Sequence, residues 1–537
     1  MRAIILLLPV TCLLASGERE IMVTHFGATP NDARDDTSAI QLVFSKAKPG
    51  SVIWFERGTY DVSKTLRIDG AKGIALVGAG TTFVVHAPVT LFDVANTSGV
   101  RIEGISVDYV PATSFLVRVG KTVSGTAVHL HARQPFSGPV EGVLGLDVTR
   151  RRPAGRDLYM IKHPAQVKAL GKGTIELSGL RAGSLPAEGT HAVVRPKIYG
   201  APVIRFAHCR DIDLKLLRIF SGSGMGMIFL SCESVELREV QVAPRPGNPA
   251  LSTNADATHF NSCRGKILFE GCRFERMGDD AINVHGTYSR VMGSPASKSI
   301  RVVTGRRDVE WMPVPPCSGD RISIHLPDQP FGRPVFQGAV VATKPERSNL
   351  SAEITFSEDV PAGIPENAVV WNRSASPELT VRNCTFVDNR ARGILVQSSN
   401  TVIEHNWFEG MSGSAINVTC DVGTWWESGP TENVTIRNNM IAQCNDGAGA
   451  NAGAISVFAD APGIPPQSGV HRRLRIENNV IRQVRRAGIS ISASSDILIS
   501  GNGIREVSGP GVLVKASTDV KVSNNRFEGV TENVAHE

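Results

Sequence analysis

The octapeptide Val434-Thr-Ile-Arg-Asn-Asn439-Met-Ile441 shows the pattern that decides the fold. Apolar and polar residues alternate on both sides of an asparagine pair, and the same arrangement returns at Leu474–Ile481, Ile497–Ile504 and Val520–Phe527. Alternation at period two is typical of β-strands, and an asparagine that tolerates a left-handed backbone is typical of a tight bend. Each repeat therefore predicts two short strands separated by a bend at the second asparagine.

The spacing of this bend residue gives the length of one repeat. Ten residues share the position: Ile105, Leu217, Val240, Cys272, Cys384, Asn406, Asn439, Asn479, Asn502 and Asn525. Asn479, Asn502 and Asn525 lie 23 positions apart. A period of this size is typical of one coil of a parallel β-helix. The fold class predicted is all-β, a right-handed parallel β-helix.

Two long separations predict two insertions into this rod. Ile105 to Leu217 and Cys272 to Cys384 each span 112 positions, which is one coil plus about 90 further residues. The insertions resemble each other at their ends, His191–Arg195 and Asn367–Trp371, and indicate a duplicated small β-barrel-like module. The predicted ranges are 18–108 for an N-terminal cap and the first coils, 109–200 for module 1, 201–286 for coils with an acidic cluster, 287–376 for module 2, and 377–537 for the C-terminal coils.

The N-terminal segment 1–17 is typical of an export signal. It combines Arg2 with an apolar run from Ala3 to Leu14 and ends on small residues, as cleavable signals do. The run is too short for a lasting membrane span. We expect the mature chain to begin near Glu18, without a membrane span, and to be secreted or periplasmic. In its opening stretch, Asp36 or Thr37 is expected to cap a short helix that closes the end of the rod.

Composition argues against several classes of protein. A formal charge of +6 over 537 residues is too mild to indicate a nucleic-acid or membrane partner. No CxxC motif or Cys/His cluster suggests a metal, and no cofactor is expected. Cys209 and Cys232 occupy equivalent places in successive repeats, as do Cys272 and Cys384, which favours buried columns of thiols over disulfides. Oligomeric state is left open.

Two neighbouring coils carry acidic residues where other coils have small ones. Asn254-Ala-Asp-Ala-Thr-His-Phe260 and Gly278-Asp-Asp-Ala-Ile-Asn-Val-His-Gly286 align in one register, so Asp256 and Asp280 should be neighbours about 4.8 Å apart. We expect Asp280 to sit on the bend beside Asp279. Crowded carboxylates raise at least one pKa. Glycoside hydrolysis uses a protonated and an ionised carboxyl group, so the cluster indicates a glycoside hydrolase. A calcium site and a solvated acidic turn are the alternative interpretations of the cluster.

These two motifs resemble glycoside hydrolase family 110, the exo-acting α-1,3-galactosidases that remove terminal galactose from blood-group-B-type glycans. The resemblance covers essentially the whole chain, and the site is more distantly similar to that of polygalacturonases. It implies an inverting hydrolase with Asp256, Asp279 and Asp280 as catalytic residues. We assign Asp279 as the general acid, because it stands outside the stacked column, and Asp256 with Asp280 as the pair that polarises water.

Further residues are candidates for holding the sugar. Those expected on the outer face near the carboxylates are Asn254, His259, Asn283 and His285, although a turn or ladder role is as plausible for each of them. Trp425 and Trp426 lie on a loop that leaves the neighbouring strand end. Adjacent tryptophans could form an aromatic platform for the apolar face of galactose, or they could pack against module 2.

The sequence is also compatible with other functions. A polygalacturonase needs cations for a uronate, and no Arg-x-Lys pair follows Asp280 in the next coils, which favours a neutral sugar. A pectate lyase would require Ca²⁺ and a basic residue as its base. A non-catalytic glycan-binding β-helix is the alternative from another class, although lectin sites seldom crowd three acids.

Overall fold

The computed structural model describes residues 19–132, 138–149, 152–160, 163–181, 187–248, 250–304, 314–346, 350–447 and 452–537. The predicted export signal, residues 1–17, lies outside these ranges. Within them the helical elements are the α-helix Thr37–Lys46 and the 3₁₀ turn Val23–Phe26. The rest of the regular structure is β-strand, so the all-β prediction is confirmed.

The largest sheet is parallel and contains 23 strands among the described residues. Most coils contribute two short strands to it, one on each side of a bend, and each strand pairs with its counterpart in the next coil. The strands are Arg19–Met22, Ser51–Trp54, Gly58–Val62, Lys72–Val85, Ser98–Tyr109, Arg210–Lys215, Arg218–Ile219, Glu233–Arg238, Gln241–Val242, Arg264–Glu270, Arg273–Glu275, Glu378–Arg382, Thr385–Val387, Thr401–Glu404, Trp407–Glu409, Glu432–Arg437, Met440–Ala442, His471–Glu477, Val480–Val484, Ser494–Ser500, Gly503–Val507, Thr518–Ser523 and Arg526–Glu528.

A second parallel sheet forms the other long face of the rod. Its strands are Leu66–Asp69, Phe92–Ala95, Ile204–Ala207, Met227–Leu230, Thr258–Asn261, Ile282–Met292, Ile394–Val396, Ile416–Asp421, Gly453–Asp460, Ala487–Ser492, Val512–Lys515 and Val534–His536. The short strand Glu427–Ser428 pairs antiparallel to this sheet at Gly286 and Thr287. Two sheets of parallel coils confirm the β-helix that the repeat predicted.

The bend works differently from the way the repeat suggested. Left-handed backbone is found one position before the marker, at His405 (φ 57°), Asn438 (φ 55°) and Asn478 (φ 55°). The marker asparagines instead point into the rod and join one another: Asn439 Nδ2 donates to Asn479 Oδ1 at 2.9 Å. Each also donates to a backbone carbonyl of an adjacent coil. The second asparagine is therefore a buried ladder residue, and its predecessor supplies the bend.

Apolar columns fill the space between the two sheets. Phe206, Phe229 and Phe260 stack in successive coils with ring centroids 5.0 and 4.2 Å apart. Each ring is fully buried, and such burial contributes about 1.5–3 kcal/mol per side chain. Ile282 and Val284 belong to the same core, as their register with Phe260 requires.

Two antiparallel units interrupt the coils. The first is a seven-stranded sheet of Phe115–Ser124, Ala127–Ala132, Gly142–Asp147, Arg152–Tyr159, Gln166–Gly171, Thr174–Ser178 and His191–Arg195. An isolated antiparallel bridge pairs Val140, just before the strand Gly142–Asp147, with Ala165, just before the edge strand Gln166–Gly171. The second closes a ring of six strands from Tyr288–Met292 through Ser299–Val303, Ser351–Phe356, Phe336–Pro345, Arg321–His325 and Val369–Asn372 back to the first. The exact boundaries 109–200 and 287–376 stay predictions.

The helix Thr37–Lys46 packs Ile40, Val43 and Phe44 into the first coils. Asp36 occupies its N-cap position but makes no capping bond with its side chain. Asp35 Oδ1 instead accepts the Thr37 N–H at 2.9 Å. The short helix is as expected, whereas its capping side chain is one residue earlier.

The described cysteines are free thiols, and all except Cys317 are buried. Side-chain contacts join Cys209 to Cys232 and Cys272 to Cys384, in agreement with the predicted columns. Among the described residues, no helix is long and apolar enough to cross a membrane.

Candidate active site

The three predicted carboxyl groups lie together at the start of two neighbouring strands. Thr258 pairs with Ile282 and the Asp280 N–H donates to Asp256 Oδ1 at 3.1 Å. One carboxylate oxygen from each of Asp256, Asp279 and Asp280 lies within 4.8 Å of the others. The shared register of the two acidic motifs therefore produces the clustering that the sequence predicted.

Two arginines from the next coil contact the acidic pair. Arg392 donates to Asp280 from Nε at 2.7 Å, from Nη2 at 2.5 Å and from its backbone N–H at 2.9 Å. Arg390 Nη1 donates to Asp279 Oδ1 at 3.1 Å. The pairing follows from coil geometry, because Ile282 pairs with Ile394 in that coil. Charge-assisted bonds of this kind fix the orientation of a carboxylate.

Burial governs the protonation of Asp256 and Asp280. Asp256 and Asp280 are 4% and 1% exposed. Burial, followed by the charge of Asp279, raises the pKa of Asp256 well above its ordinary value. Burial also raises the pKa of Asp280, to about 7, against the opposing effect of Arg392. From the sequence we expected crowding of carboxylates to raise a pKa. For Asp256 and Asp280 desolvation is the larger cause, and the neighbouring carboxylates add to it.

Two histidines extend the cluster into the wall of the β-helix. His259 Nδ1 lies 2.7 Å from Asp256 Oδ2, and His259 Nε2 lies 2.9 Å from His285 Nε2. His285 Nδ1 lies 2.6 Å from the carbonyl oxygen of Gly286. Burial lowers the pKa of both histidines, that of His285 to about 4.

The carboxyl groups face a cleft of about 390 Å³, within the range of small-molecule sites. Its lining residues are Tyr199, Met225, Asp256, His259, Asp279, Asp280, Asn283, Arg390, Arg392, Leu395, Asn417, Thr419, Asp421, Thr424, Trp425, Glu427, Phe458 and Asp460. The buried Oδ1 atoms of Asn283 and Asn417 have no hydrogen-bond partner among the described residues. A sugar hydroxyl entering the cleft would satisfy such acceptors.

An aromatic side chain covers one wall of the cleft. Trp425 is 42% exposed there. Its loop is held by Asp421, whose carboxylate accepts the N–H groups of Gly423, Thr424 and Trp425 at 2.7, 2.6 and 2.8 Å. An exposed ring on so tightly bound a loop offers a fixed apolar surface.

Three of the predicted sugar-binding residues do not reach the cleft. Asn254 is buried, and its Nδ2 donates to the carbonyls of Thr113 and Lys197 at 2.9 and 2.8 Å. His285 lies behind His259. Trp426 packs in a cluster with Tyr288 and other barrel residues. The pair of tryptophans thus divides, one facing the cleft and the other the barrel.

Sequence reasoning overlooked Arg390, Arg392 and Glu427. Arg392 stands 112 positions after Asp280, the same offset as Cys272 to Cys384, so the repeat spacing contained its signal. Glu427 arrives on the short antiparallel strand, where it accepts from Gln397 Nε2 at 2.6 Å and Asn283 Nδ2 at 3.5 Å. No period in the sequence places that residue.

The three carboxylates are close enough together to hold a cation. Arg392 and Arg390 already supply positive charge to Asp280 and Asp279. A group of acidic side chains with its own guanidinium partners does not by itself indicate a metal centre.

Comparison with protein families agrees with the two-sheet rod. Residues 367–535 match the family described as "Right handed beta helix region", and residues 21–115 match "Rhamnogalacturonase A/epimerase, pectate lyase-like". The solved exopolygalacturonase of family 28 from Yersinia enterocolitica superposes with a TM-score of 0.51 at 13% identity. That superposition covers 96% of this chain and 78% of the other. At this identity the likeness concerns the fold alone.

Curated proteins extend the similarity to most of the sequence. "Alpha-1,3-galactosidase A" of Bacteroides fragilis is 25% identical over 514 residues, covering 86% of this chain and 83% of that protein. "Alpha-1,3-galactosidase A" of Shewanella woodyi is 26% identical over 527 residues, covering 89% and 85%. The chain is thus a parallel β-helix protein that resembles α-1,3-galactosidases over most of its length, as the motifs around Asp256 and Asp279 indicated.

Proposed function

We propose that this protein is an exo-acting glycoside hydrolase that releases terminal α-1,3-linked galactose from blood-group-B-type glycans and from linear α-galactosyl glycans. The observation that carries the proposal is the trio of carboxyl groups on the cleft, Asp256, Asp279 and Asp280. Glycosidic cleavage needs a proton donor and an ionised carboxylate beside one bond. Relatives named α-1,3-galactosidases support galactose as the sugar removed.

Within this proposal each carboxyl group has a role. Asp279 donates the proton to the leaving oxygen, and at 9% it is the most exposed of the three. Asp256 and Asp280 act on the attacking water. Arg392 supports ionisation of Asp280, because its charge opposes the effect of burial on that pKa. General acid and base groups of this kind each contribute about 10²–10⁴ in rate.

A neutral sugar fits the charge of the cleft better than a uronate does. Besides the trio, the lining includes the acidic side chains of Asp421, Glu427 and Asp460. The two lining guanidiniums, Arg390 and Arg392, are bound to Asp279 and Asp280. A uronate carboxylate would enter a site with excess negative charge, and like charges repel strongly in partly buried surroundings. The coil after Asp280 has no Arg-x-Lys pair, as the sequence showed, but it does carry Arg390 and Arg392, whose guanidiniums are held by the acidic pair.

Inversion at the anomeric carbon is part of the proposal and rests on the resemblance to family 110. Inverting enzymes commonly separate their two carboxyl groups by about 6.5–9.5 Å. One oxygen from each carboxyl group of this trio lies within 4.8 Å of the others, a distance between single atoms and not between whole carboxyl groups.

The decisive experiment follows released galactose by NMR. Enzyme is added to a blood-group-B trisaccharide and to its unfucosylated counterpart, and the first anomer formed is recorded before mutarotation. Release of β-galactose first supports the proposal, and α-galactose first would replace inversion with retention. Binding without release over hours would favour the glycan-binding alternative, and activity on polygalacturonate alone would favour a polygalacturonase.

We also propose that the protein is exported, since segment 1–17 has the composition of a cleavable signal. Mass spectrometry of protein recovered outside the cytoplasm should give an N-terminus near Glu18. Protein found only in the cytoplasm would contradict export, and an intact Met1 on protein recovered outside it would contradict cleavage.

A further inference from the structure

A continuous row of polar contacts leads from Asp256 into the wall of the β-helix. It passes from Asp256 Oδ2 to His259 Nδ1 at 2.7 Å, from His259 Nε2 to His285 Nε2 at 2.9 Å, and from His285 Nδ1 to Gly286 O at 2.6 Å. The three side chains are between 3% and 4% exposed. Their hydrogen bonds are therefore made with one another, and each contact has to hold one proton.

This row allows a single arrangement of the protons when both imidazoles are neutral. The Gly286 carbonyl only accepts, so His285 Nδ1 carries a proton. If both imidazoles are neutral, His285 Nε2 must accept, and His259 Nε2 must donate to it. His259 Nδ1 then has only a lone pair, so the hydrogen bond to Asp256 needs a proton on the carboxyl group. Asp256 is a carboxylic acid in this neutral arrangement.

We propose that Asp256, His259 and His285 form a proton relay that sets the charge of Asp256, with the two histidines as positioning residues. This inference rests on the proposed function, in which Asp256 acts on water as a carboxylate. In the relay step, the Asp256 O–H bond breaks as His259 Nδ1–H forms, and His259 Nε2–H breaks as His285 Nε2–H forms. No proton is gained or lost. The products are an Asp256 carboxylate and a His285 imidazolium.

Glu427 makes the charged arrangement accessible. Its Oε1 lies 3.8 Å from His285 Nε2, so an imidazolium at His285 would face a carboxylate. The proton that leaves Asp256 places a positive charge on His285 beside Glu427, and Asp256 gains a negative charge. Glu427 also lines the cleft, together with the charged groups Asp279, Asp280, Arg390 and Arg392. Burial of the histidines favours the neutral arrangement.

The tautomers can be read directly by ¹⁵N NMR of the full chain with labelled histidine. The expected result for the empty protein is that His285 carries its proton on Nδ1 and His259 on Nε2. His471 is an internal control, because its Nε2 faces the Phe458 carbonyl at 3.0 Å and its Nδ1 accepts from Thr431. It should therefore show the opposite tautomer to His285.

An Asp256→Asn variant tests whether residue 256 is the donor in its hydrogen bond with His259 Nδ1. Its amide N–H can replace the carboxylic acid as donor to His259 Nδ1, so the His259 tautomer should stay unchanged. A neutral His285 protonated only on Nε2, or His259 protonated only on Nδ1 beside a neutral His285, would overturn the relay. These spectra need no substrate, so they separate failure of the relay from failure of the proposed hydrolase.

An activity measurement adds a readout that a structural role would not move. In His285→Met the proton of Asp256 has no final acceptor, so kcat should fall by about tenfold or more while KM changes little. The acid side of the kcat profile should also move to higher pH. A folded variant with an unchanged pH profile would contradict the relay, and thermal unfolding shows whether the variant is folded.

Discussion

Arg392 holds Asp280 through three hydrogen bonds, two from its guanidinium at 2.7 and 2.5 Å and one from its backbone at 2.9 Å. The carboxylate is 1% exposed, so the arginine provides most of the compensation that water would give a free carboxylate. Removing one partner of a buried pair leaves the other charge uncompensated. The contact thus links a residue of the proposed catalytic trio to a coil that follows a long insertion.

The first prediction concerns pH. Burial raises the pKa of Asp280 to about 7, and a base must be ionised to act. Activity should therefore fall as pH drops through about 7. Arg392→Met should raise this pKa further and move the acid limb of kcat/KM upward by about one to three pH units. Arg437→Met, at the exposed pair with Glu404, is the control and should leave the profile unchanged. A limb that stays in place in Arg392→Met would contradict the role of Asp280.

The second prediction separates the acid from the water-activating residues. Replacing any of Asp256, Asp279 or Asp280 by Asn should lower turnover of the natural trisaccharide by about 10²–10⁴. With an activated aryl galactoside, whose leaving group needs little protonation, only Asp279→Asn should recover. Initial rates on both substrates are the measurement. Recovery of a different variant would reassign the acid.

How far the sequence anticipated the site depends on coil geometry. Asp256 and Asp280 were placed side by side because strand alternation and one register fix both positions. Arg392 obeys the same register, but the insertion between Asp280 and Arg392 hides the contact from local reading. Glu427 could not be predicted, since an antiparallel strand outside the repeat delivers it. The sequence predicts residues whose positions follow from the repeat period. It does not predict residues whose positions depend on how loops pack.

A third prediction concerns metals. The trio could hold a cation geometrically, but Arg390 and Arg392 already oppose its charge. We expect prolonged treatment with EDTA to leave hydrolysis unchanged, and added Ca²⁺ to have no effect. Loss of activity that Ca²⁺ restores would show that a cation takes part and would favour the calcium alternative.

A fourth prediction tests the asparagine ladder. Asn439 accepts from Asn406 through Oδ1 and donates from Nδ2 to the Ile403 carbonyl and to Asn479 Oδ1. Asn439→Ala would leave several buried groups unpaired, and we expect it to lower the free energy of unfolding by about 2–4 kcal/mol. Urea unfolding gives the value. Met440→Ala, at an adjacent side chain that is 37% exposed, is the control, and an equal loss there would contradict a special role for the ladder.

The two neighbouring tryptophans should respond differently to removal. Trp425 is 42% exposed on the cleft, so Trp425→Ala should raise KM roughly tenfold through loss of a stacking surface, with little effect on unfolding. Trp426 packs with Tyr288 and Val369, and the Arg290 guanidinium lies 5.4 Å from its ring centroid. Trp426→Ala should instead lower stability by about 2–4 kcal/mol. Paired kinetics and denaturation of both variants check this. If Trp425→Ala left KM unchanged while Trp426→Ala raised it in folded protein, the aromatic platform proposed for Trp425 would be contradicted.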